Sequence, residues 1–353
     1  MASNQVAEMF PAENKSLLAK HLTQNIYDSL KDITTEAAAF TLDKAIKTCI
    51  DNPDSGCGIY AGDEECYSKL APIFDPVIEE YHGGYSADKK HVSDMEVAKL
   101  KVPDINMDDY VVSTRIRVGR NIRGYGLSPG ITSEHRKEVE ELVTTALSKL
   151  TGDLKGQYYP LEGMNESDRQ KLVEDHFLFK KGDRFLESAG ANRDWPKSRG
   201  IFHNEEKSFL VWVNEEDQLR IISMQKGGDF VAIFSRLARG IQAIKESIRE
   251  TAGKEFMFND HLGYIHSCPT NLGTGMRASV HVKLPNLSAQ SNFKQICFDL
   301  HLQPRGVHGE HSETTDGIYD ISNKHRIGHT EVGLVQTMMD GVKKLIELEK
   351  ELE

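Results

Sequence analysis

The feature that most constrains this chain is a single change of hydrophobic period near Tyr110. Before it, apolar residues recur at helical spacing, as in Ser16 to Leu30 and Phe40 to Cys49, with Gly- and Asp-rich turns between them. After it, Val111-Val112-Ser113-Thr114-Arg115-Ile116-Arg117-Val118 alternates, and a period of two belongs to a strand with two unlike faces. Phe209 to Val213 and Leu219 to Met224 flank the acidic loop Asn214-Glu215-Glu216-Asp217 in the same style. Tyr264 to Cys268 and Arg277 to Leu284 flank a turn rich in Pro and Gly. Helical stretches cover Glu134 to Leu150, Val231 to Glu250 and Glu331 to Leu352. The expected fold is therefore α+β: a small all-α domain over 1–95, then a larger domain over 96–353 built on an antiparallel sheet flanked by helices. Tyr85 to Asp109 reads as the connecting segment.

Charge and cysteine usage narrow the function. Forty-three Lys and Arg against 54 Asp and Glu leave a net charge of −11, which disfavours broad attraction to nucleic acid or an anionic membrane. Any anion site must be built locally. No apolar run reaches the roughly 18 residues of a membrane span, and Met1-Ala2-Ser3-Asn4-Gln5 lacks the character of a secretory leader, so a cytoplasmic location is expected. The five cysteines, Cys49, Cys57, Cys66, Cys268 and Cys297, show no C-x-x-C spacing and are expected as reduced thiols. His308 and His311 lack a third nearby ligand, so no zinc site is expected.

The familiar phosphate-binding strings are missing: there is no G-x-x-x-x-G-K-[ST], H-R-D or D-F-G. Gly273-Thr274-Gly275-Met276-Arg277-Ala278 fits G-x-G-x-x-A but leads into a strand, which removes the context a dinucleotide site needs. Arginines are more telling. Arg115 and Arg117 stand at i, i+2 on one strand face, as a salt-bridged surface pair or as a fork for an anion. Arg220 follows the acidic loop, Arg277 the Gly-rich turn, and Arg305 opens Gly306-Val307-His308-Gly309-Glu310. Five arginines at strand ends in an acidic chain suggest a polyphosphate clamp, because guanidinium groups grip phosphate oxygens in pairs. Glu215-Glu216-Asp217 and Glu310 with Glu313 are the acidic candidates, either as chemistry or as solvated turns.

Several strings then resemble a known family, the phosphagen (ATP:guanidino) kinases, with the arginine-specific members nearest. Cys268-Pro269-Thr270-Asn271-Leu272-Gly273-Thr274 is similar to the signature around that family's reactive cysteine. Ser113 to Arg117, Asp175 to Phe179, Val213 to Asp217 and Tyr319 to Asn323 resemble further blocks in the same order. The resemblance implies reversible transfer of the γ-phosphoryl of ATP to a guanidino nitrogen, expected to be that of L-arginine, giving ADP and phosphoarginine. It implies ATP or ADP as cofactor, with magnesium held by nucleotide and water and not by a protein cage.

By the same resemblance, the nucleotide contacts are Ser113, Thr114, Arg115, Ile116, Arg117, His176, Arg220, Arg277, Ala278, Ser279, Val280, His281 and Asp320, together with Arg305, Gly306, Val307, His308, Gly309 and Glu310. Glu216, Glu310 and Cys268 contact the guanidinium, with Arg220 and Arg277 completing the catalytic set. The loop Ser55, Gly56, Cys57, Gly58, Ile59 and Tyr60 grips the acceptor's backbone end. Two departures stand out: Cys57 replaces a usually aliphatic residue, and Ala61-Gly62-Asp63 replaces the commoner Ala-Pro-Asp, which points to a more flexible loop. Rival expectations are a different acceptor such as taurocyamine or lombricine, or a catalytically silent nucleotide-binding scaffold. Either a monomer or a homodimer fits the resemblance.

Overall fold

The computed structural model describes residues 5–306 and 317–353. Ten strands are found among them: β1 (Val111–Arg120), β2 (Gly156–Pro160), β3 (Gly200–Asn204), β4 (Phe209–Val213), β5 (Leu219–Lys226), β6 (Phe258–Asn259), β7 (Gly263–Tyr264), β8 (Met276–Lys283), β9 (Leu302–Arg305) and β10 (Ile318–Asn323). Eight of them form one sheet in the order β2-β3-β4-β5-β1-β8-β10-β9. Every neighbouring pair is antiparallel. The alternating strand that the sequence advertises, β1, lies inside the sheet between β5 and β8.

Alternation explains what each face does. Ile116 and Val118 of β1, Leu219 and Ile221 of β5, and Ala278, Val280 and Val282 of β8 join the main hydrophobic core. The helices Ser133–Ser148, Phe230–Ala252 and Glu331–Lys350 supply the other side of that core. Each helix starts where a side chain can take up an orphan amide: Thr132 accepts from the His135 N–H, Asp229 from Ala232 and Thr330 from Gly333. The longest one stops at Gly253, whose φ of 63° suits a left-handed cap.

The helical region departs from expectation in detail. Ser16 to Leu30 is two helices, Leu17–His21 and Gln24–Leu30, because Thr23 caps the second by accepting from the Ile26 N–H. With Leu42–Asp51 and Ala71–Tyr81 they surround a core of Leu18, Phe40, Leu42, Ile46, Ile73 and Phe74. That core is closed by Leu127, Met257, Ile265, Leu272 and Ile327, which come from the sheet-bearing part of the chain.

One expected strand is corrected. Of the expected run Tyr264 to Cys268, only Tyr264 lies in a strand, paired with Phe258. The rest crosses to the helical region, where the Tyr67 hydroxyl donates to the His266 carbonyl at 2.7 Å and the Ala61 N–H to the Ser267 carbonyl at 2.7 Å. The expected connector contains a single 3-10 turn, Val97–Lys99. No helix among the described residues is long and apolar enough to cross a membrane.

Candidate functional site

Register assembles the site on the sheet face opposite the helices. Arg117 lies directly across from Arg277, Gly119 from Arg220, Ser113 from His281, and Asp320 from both His281 and Arg305. Directly opposed residues share a face, so Arg115, Arg117, Arg220, Arg277 and Arg305 converge there with Ser113, Ser279, His281 and Asp320. Ser113 Oγ lies 3.3 Å from His281 Nδ1, and burial first, with His176, Arg115 and Arg277 behind it, holds that imidazole below its usual range against Asp320. Gly306 follows Arg305 and is buried. Val307, His308, Gly309, Glu310 and Glu313 lie outside the described residues.

Alternation also turns four of the expected side chains away from this face. Thr114, Ile116, Ala278 and Val280 are buried on the helix side, and the Thr114 hydroxyl donates to the Gly227 carbonyl at 2.8 Å. Their side chains cannot reach a ligand on the arginine face. Within the two expected blocks, only the odd-numbered side chains share the arginine face.

The arginines are crowded beyond what their own partners neutralise. Arg220 makes ion pairs with Glu215 at 3.0 Å and Glu216 at 3.1 Å, and Arg277 with Asp320 at 2.6 Å. Burial opposes the charge on Arg115, bringing it down to about 10, and Arg220 and Arg277 add repulsion. Arg117 is held well below its ordinary range by burial and then by Arg220, Arg115 and Arg277. Among the described residues, Arg115 Nε and Arg277 Nε are buried donors without a hydrogen-bond partner. A half-buried cluster of like charges with donors to spare is strained until an anion enters it.

Beside this cradle stand a carboxylate and a thiol. Burial raises Glu216 to about 7, with Asp217 and Glu215 pushing the same way and Arg220 resisting. Its Oε1 accepts from Asn271 Nδ2 at 3.1 Å. Burial alone would raise Asp217 too, but His266, 3.0 Å away, and Asn121 hold it below the usual carboxylate range. His266 fits only because Gly119 and Gly275 lack side chains: a Cβ on either would come within 2.6 Å of its ring. Cys268 is buried, its sulfur 3.0 Å from the Thr270 hydroxyl. A hydrogen bond from the Cys57 thiol is the largest influence lowering the Cys268 thiol, against burial and the charge of Glu216.

Cys57 brings the acceptor loop into the same place. The loop is anchored by its carbonyls: Gly56 accepts from the Leu17 N–H and Cys57 from the Leu18 N–H, each at 3.0 Å. Tyr60 donates its N–H to Ala45 at 3.0 Å. Gly58 has φ +85° and would bring a Cβ within 3.0 Å of Leu18 and 3.1 Å of Cys49, whereas Gly56 faces open space. Of the two glycines, only Gly58 is demanded by the fold.

Two residues of the site were not singled out from the sequence. Trp212 lies in the fully buried strand β4, yet its ring supports both Arg115 at 5.3 Å and Arg220 at 5.5 Å, while its Nε1–H donates to the Phe177 carbonyl at 2.7 Å. A large aromatic within an otherwise aliphatic-rich strand was the one available signal. Arg326 lines a small recess with Arg117, Arg220 and Arg277 and donates to the Thr270 carbonyl at 2.8 Å. It lies in a loop without period, where no pattern marks it.

Comparison with known proteins identifies the family of the chain. Residues 12–79 match the family described as ATP:guanido phosphotransferase, N-terminal domain, and residues 138–352 its C-terminal catalytic domain. An arginine kinase of Anthopleura japonica is 55% identical over 342 residues, covering 96% of this chain and 47% of that protein. The chain thus spans about half the length of that relative. An arginine kinase of Stichopus japonicus is 49% identical, covering 96% of this chain and 92% of that protein. A lombricine kinase crystal structure superposes with a TM-score of 0.93 at 44% identity, covering 98% of this chain and 96% of that one.

Proposed function

This chain belongs to the ATP:guanido phosphotransferase family, and on that premise we propose that it reversibly transfers the γ-phosphoryl group of ATP to the guanidino nitrogen of L-arginine. The observation that carries the reading is the overfilled arginine face beside Glu216 and Cys268. Phosphoryl transfer depends mostly on alignment and on neutralising charge spread over phosphate oxygens, and Arg115, Arg117, Arg220, Arg277 and Arg305 suit both tasks. A guanidinium cannot attack phosphorus while it keeps its proton, so a carboxylate poised near neutral pH is the natural acceptor of that proton. Glu216 fills this role. The Cys268 sulfur, when ionised, adds negative charge that aligns the guanidinium without attacking anything.

Magnesium travels with the nucleotide in this reading and supplies charge neutralisation when bound. Glu215 is engaged by Arg220, and Asp217 by His266 and Asn121, which supports coordination through nucleotide and water. His176, His281 and Asp320 take the nucleoside end, and the loop 55–60 grips the acceptor's carboxylate end. A division near residue 95 separates the acceptor loop from the nucleotide face, so domain closure would exclude water from the phosphoryl group.

Relatives with other acceptors, such as the lombricine kinase, support a second reading in which the same face serves a different guanidino compound. ADP release with MgATP and a panel of L-arginine, creatine, glycocyamine, taurocyamine and lombricine separates the two. L-arginine is expected to give the highest kcat/KM, and a preference for any other member overturns the acceptor assignment.

A further inference from the structure

Cys268 stands on a turn that the acidic loop holds from both sides. After the cysteine, the Asn271 N–H donates to the Cys268 carbonyl at 3.0 Å, while Asn271 Nδ2 donates to Glu216 Oε1 at 3.1 Å. Before it, His266 Nδ1 lies 3.0 Å from Asp217 Oδ1, and since an ionised carboxylate only accepts, the imidazole donates. Asn121 closes the same joint, its Nδ2 donating to Asp217 Oδ1 and to the Ile265 carbonyl, both at 2.9 Å. Glu216 and Cys268 are thus carried on two segments that are tied together on either side of the cysteine.

The His266 ring serves that joint alone. It is fully buried, and its Nε2 has no hydrogen-bond partner among the described residues. Glycine on both sides admits it: a Cβ at Gly275 would lie 2.4 Å from Nε2, and one at Gly119 would lie 2.6 Å from Cε1. A position that only fills space is better served by an apolar side chain, because a buried ring nitrogen without a partner is unfavourable. We propose that His266 is a positioning residue, whose hydrogen bond to Asp217 sets the spacing of Glu216 and Cys268 and so aligns the acceptor guanidinium between them. The consequence for turnover rests on the guanidino-kinase reading; the joint itself does not. His266 acts through Asp217 and not by touching substrate. Reacting groups displaced by a fraction of a bond length lose rate steeply, so a hydrogen bond at one remove from the chemistry is felt in turnover.

The test compares His266→Leu, which keeps bulk and loses the donor, with His266→Asn, whose amide nitrogen stands near the place of Nδ1. With MgATP and whichever guanidino compound the parent phosphorylates, His266→Leu is expected to lose about tenfold in kcat, the scale of one hydrogen bond to a charged group, while the KM for ATP stays within about twofold. His266→Asn is expected to stay within about threefold of the parent in kcat, because the donor is kept. In an Asp217→Asn background, His266→Leu is expected to cost nothing further, since effects of partners in one contact do not add. A second readout needs no turnover: labelling of Cys268 by iodoacetamide, followed by peptide mass spectrometry, with Cys297 as the internal reference because it lies in the other hydrophobic core. Release of the joint is expected to speed Cys268 labelling about fivefold in His266→Leu and not in His266→Asn, with Cys297 unchanged. Equal losses of kcat in the two variants, labelling of Cys268 and Cys297 that rises together, or unchanged Cys268 labelling in His266→Leu overturns the proposal. A parent inactive towards every acceptor overturns the kinase reading instead, and the labelling still decides the joint.

Discussion

The two faces of one sheet are made by neighbouring residues and have opposite characters. On the helix face Ile116, Leu219, Ile221, Ala278 and Val280 are fully buried among apolar partners. On the other, one residue away in sequence, Arg115, Arg117, Arg220 and Arg277 crowd together with buried donors left over. The first face stabilises the fold, and the second stores electrostatic strain that an anionic ligand relieves. A period of two thus lets β1, β5 and β8 carry stability and chemistry side by side without mixing them.

The largest effect that would break this contrast is expected from Arg277→Ala. Turnover is expected to fall by about 10³-fold, the scale of losing an arginine that stabilises a phosphoryl-transfer transition state. Its melting temperature is expected to stay close to that of the parent, since Arg277 belongs to neither hydrophobic core. Collapse of both activity and melting temperature, followed by calorimetry, would make Arg277 a structural residue.

Glu216→Gln comes next, with a loss in kcat of about 10²-fold. The parent's kcat/KM for the acceptor is expected to fall below about pH 7, where Glu216 is protonated, and the variant is expected to lose that limb. The sign on stability is opposite. A carboxyl raised by folding disfavours the ionised native state, so stability falls as pH rises from the ordinary carboxylate range towards 7. Glu216→Gln is therefore expected to melt higher than the parent at pH 8 and no higher at pH 4, as thermal melts at the two pH values would read.

The helical region sharpens the comparison at a smaller scale. Gly58→Ala, strained at φ +85° and short of space, is expected to raise the KM for L-arginine by roughly tenfold if the strain of about 1–3 kcal/mol displaces the loop. Gly56→Ala, facing open space, is expected to change it little, and KM values for both substrates would show whether ATP is spared. The smallest effect is expected from Trp212→Phe, which keeps a weaker ring beneath Arg115 and Arg220 and is expected to raise the KM for ATP by about two- to threefold.

What the sequence made legible follows from which signals are local. Alternation in Val111 to Val118 and the pair of runs around Glu215-Glu216-Asp217 located β1, β4 and β5, since each pattern reports its own strand. Short strands such as β2, Gly156–Pro160, and β9, Leu302–Arg305, carry too few residues for a period to show. Tyr264 to Cys268 looks like a strand because it is apolar, but its apolar residues cover the helical region's core, as Ile265 does. Arginines at strand ends suggest convergence, yet only the register of Arg117 against Arg277 and Asp320 against Arg305 brings it about. The same register turns the side chains of Thr114, Ile116, Ala278 and Val280, members of the same sequence blocks, to the helix face. Arg326 and Trp212 enter the site through tertiary placement that no neighbouring residue signals.

The central claim is that adjacent residues of β1 divide stability from catalysis, and the most direct test measures kcat and melting temperature together for Arg117→Ala and Ile116→Ala. Arg117→Ala is expected to lose about 10³-fold in turnover with MgATP and L-arginine. It is also expected to melt at or above the parent temperature, because a half-buried charge opposed by Arg220, Arg115 and Arg277 is gone. Ile116→Ala is expected to lose about 2–5 kcal/mol of stability while the folded fraction keeps near-parental turnover. The reverse pattern, a destabilised Arg117→Ala that still turns over and an Ile116→Ala that is stable but inactive, would contradict the account.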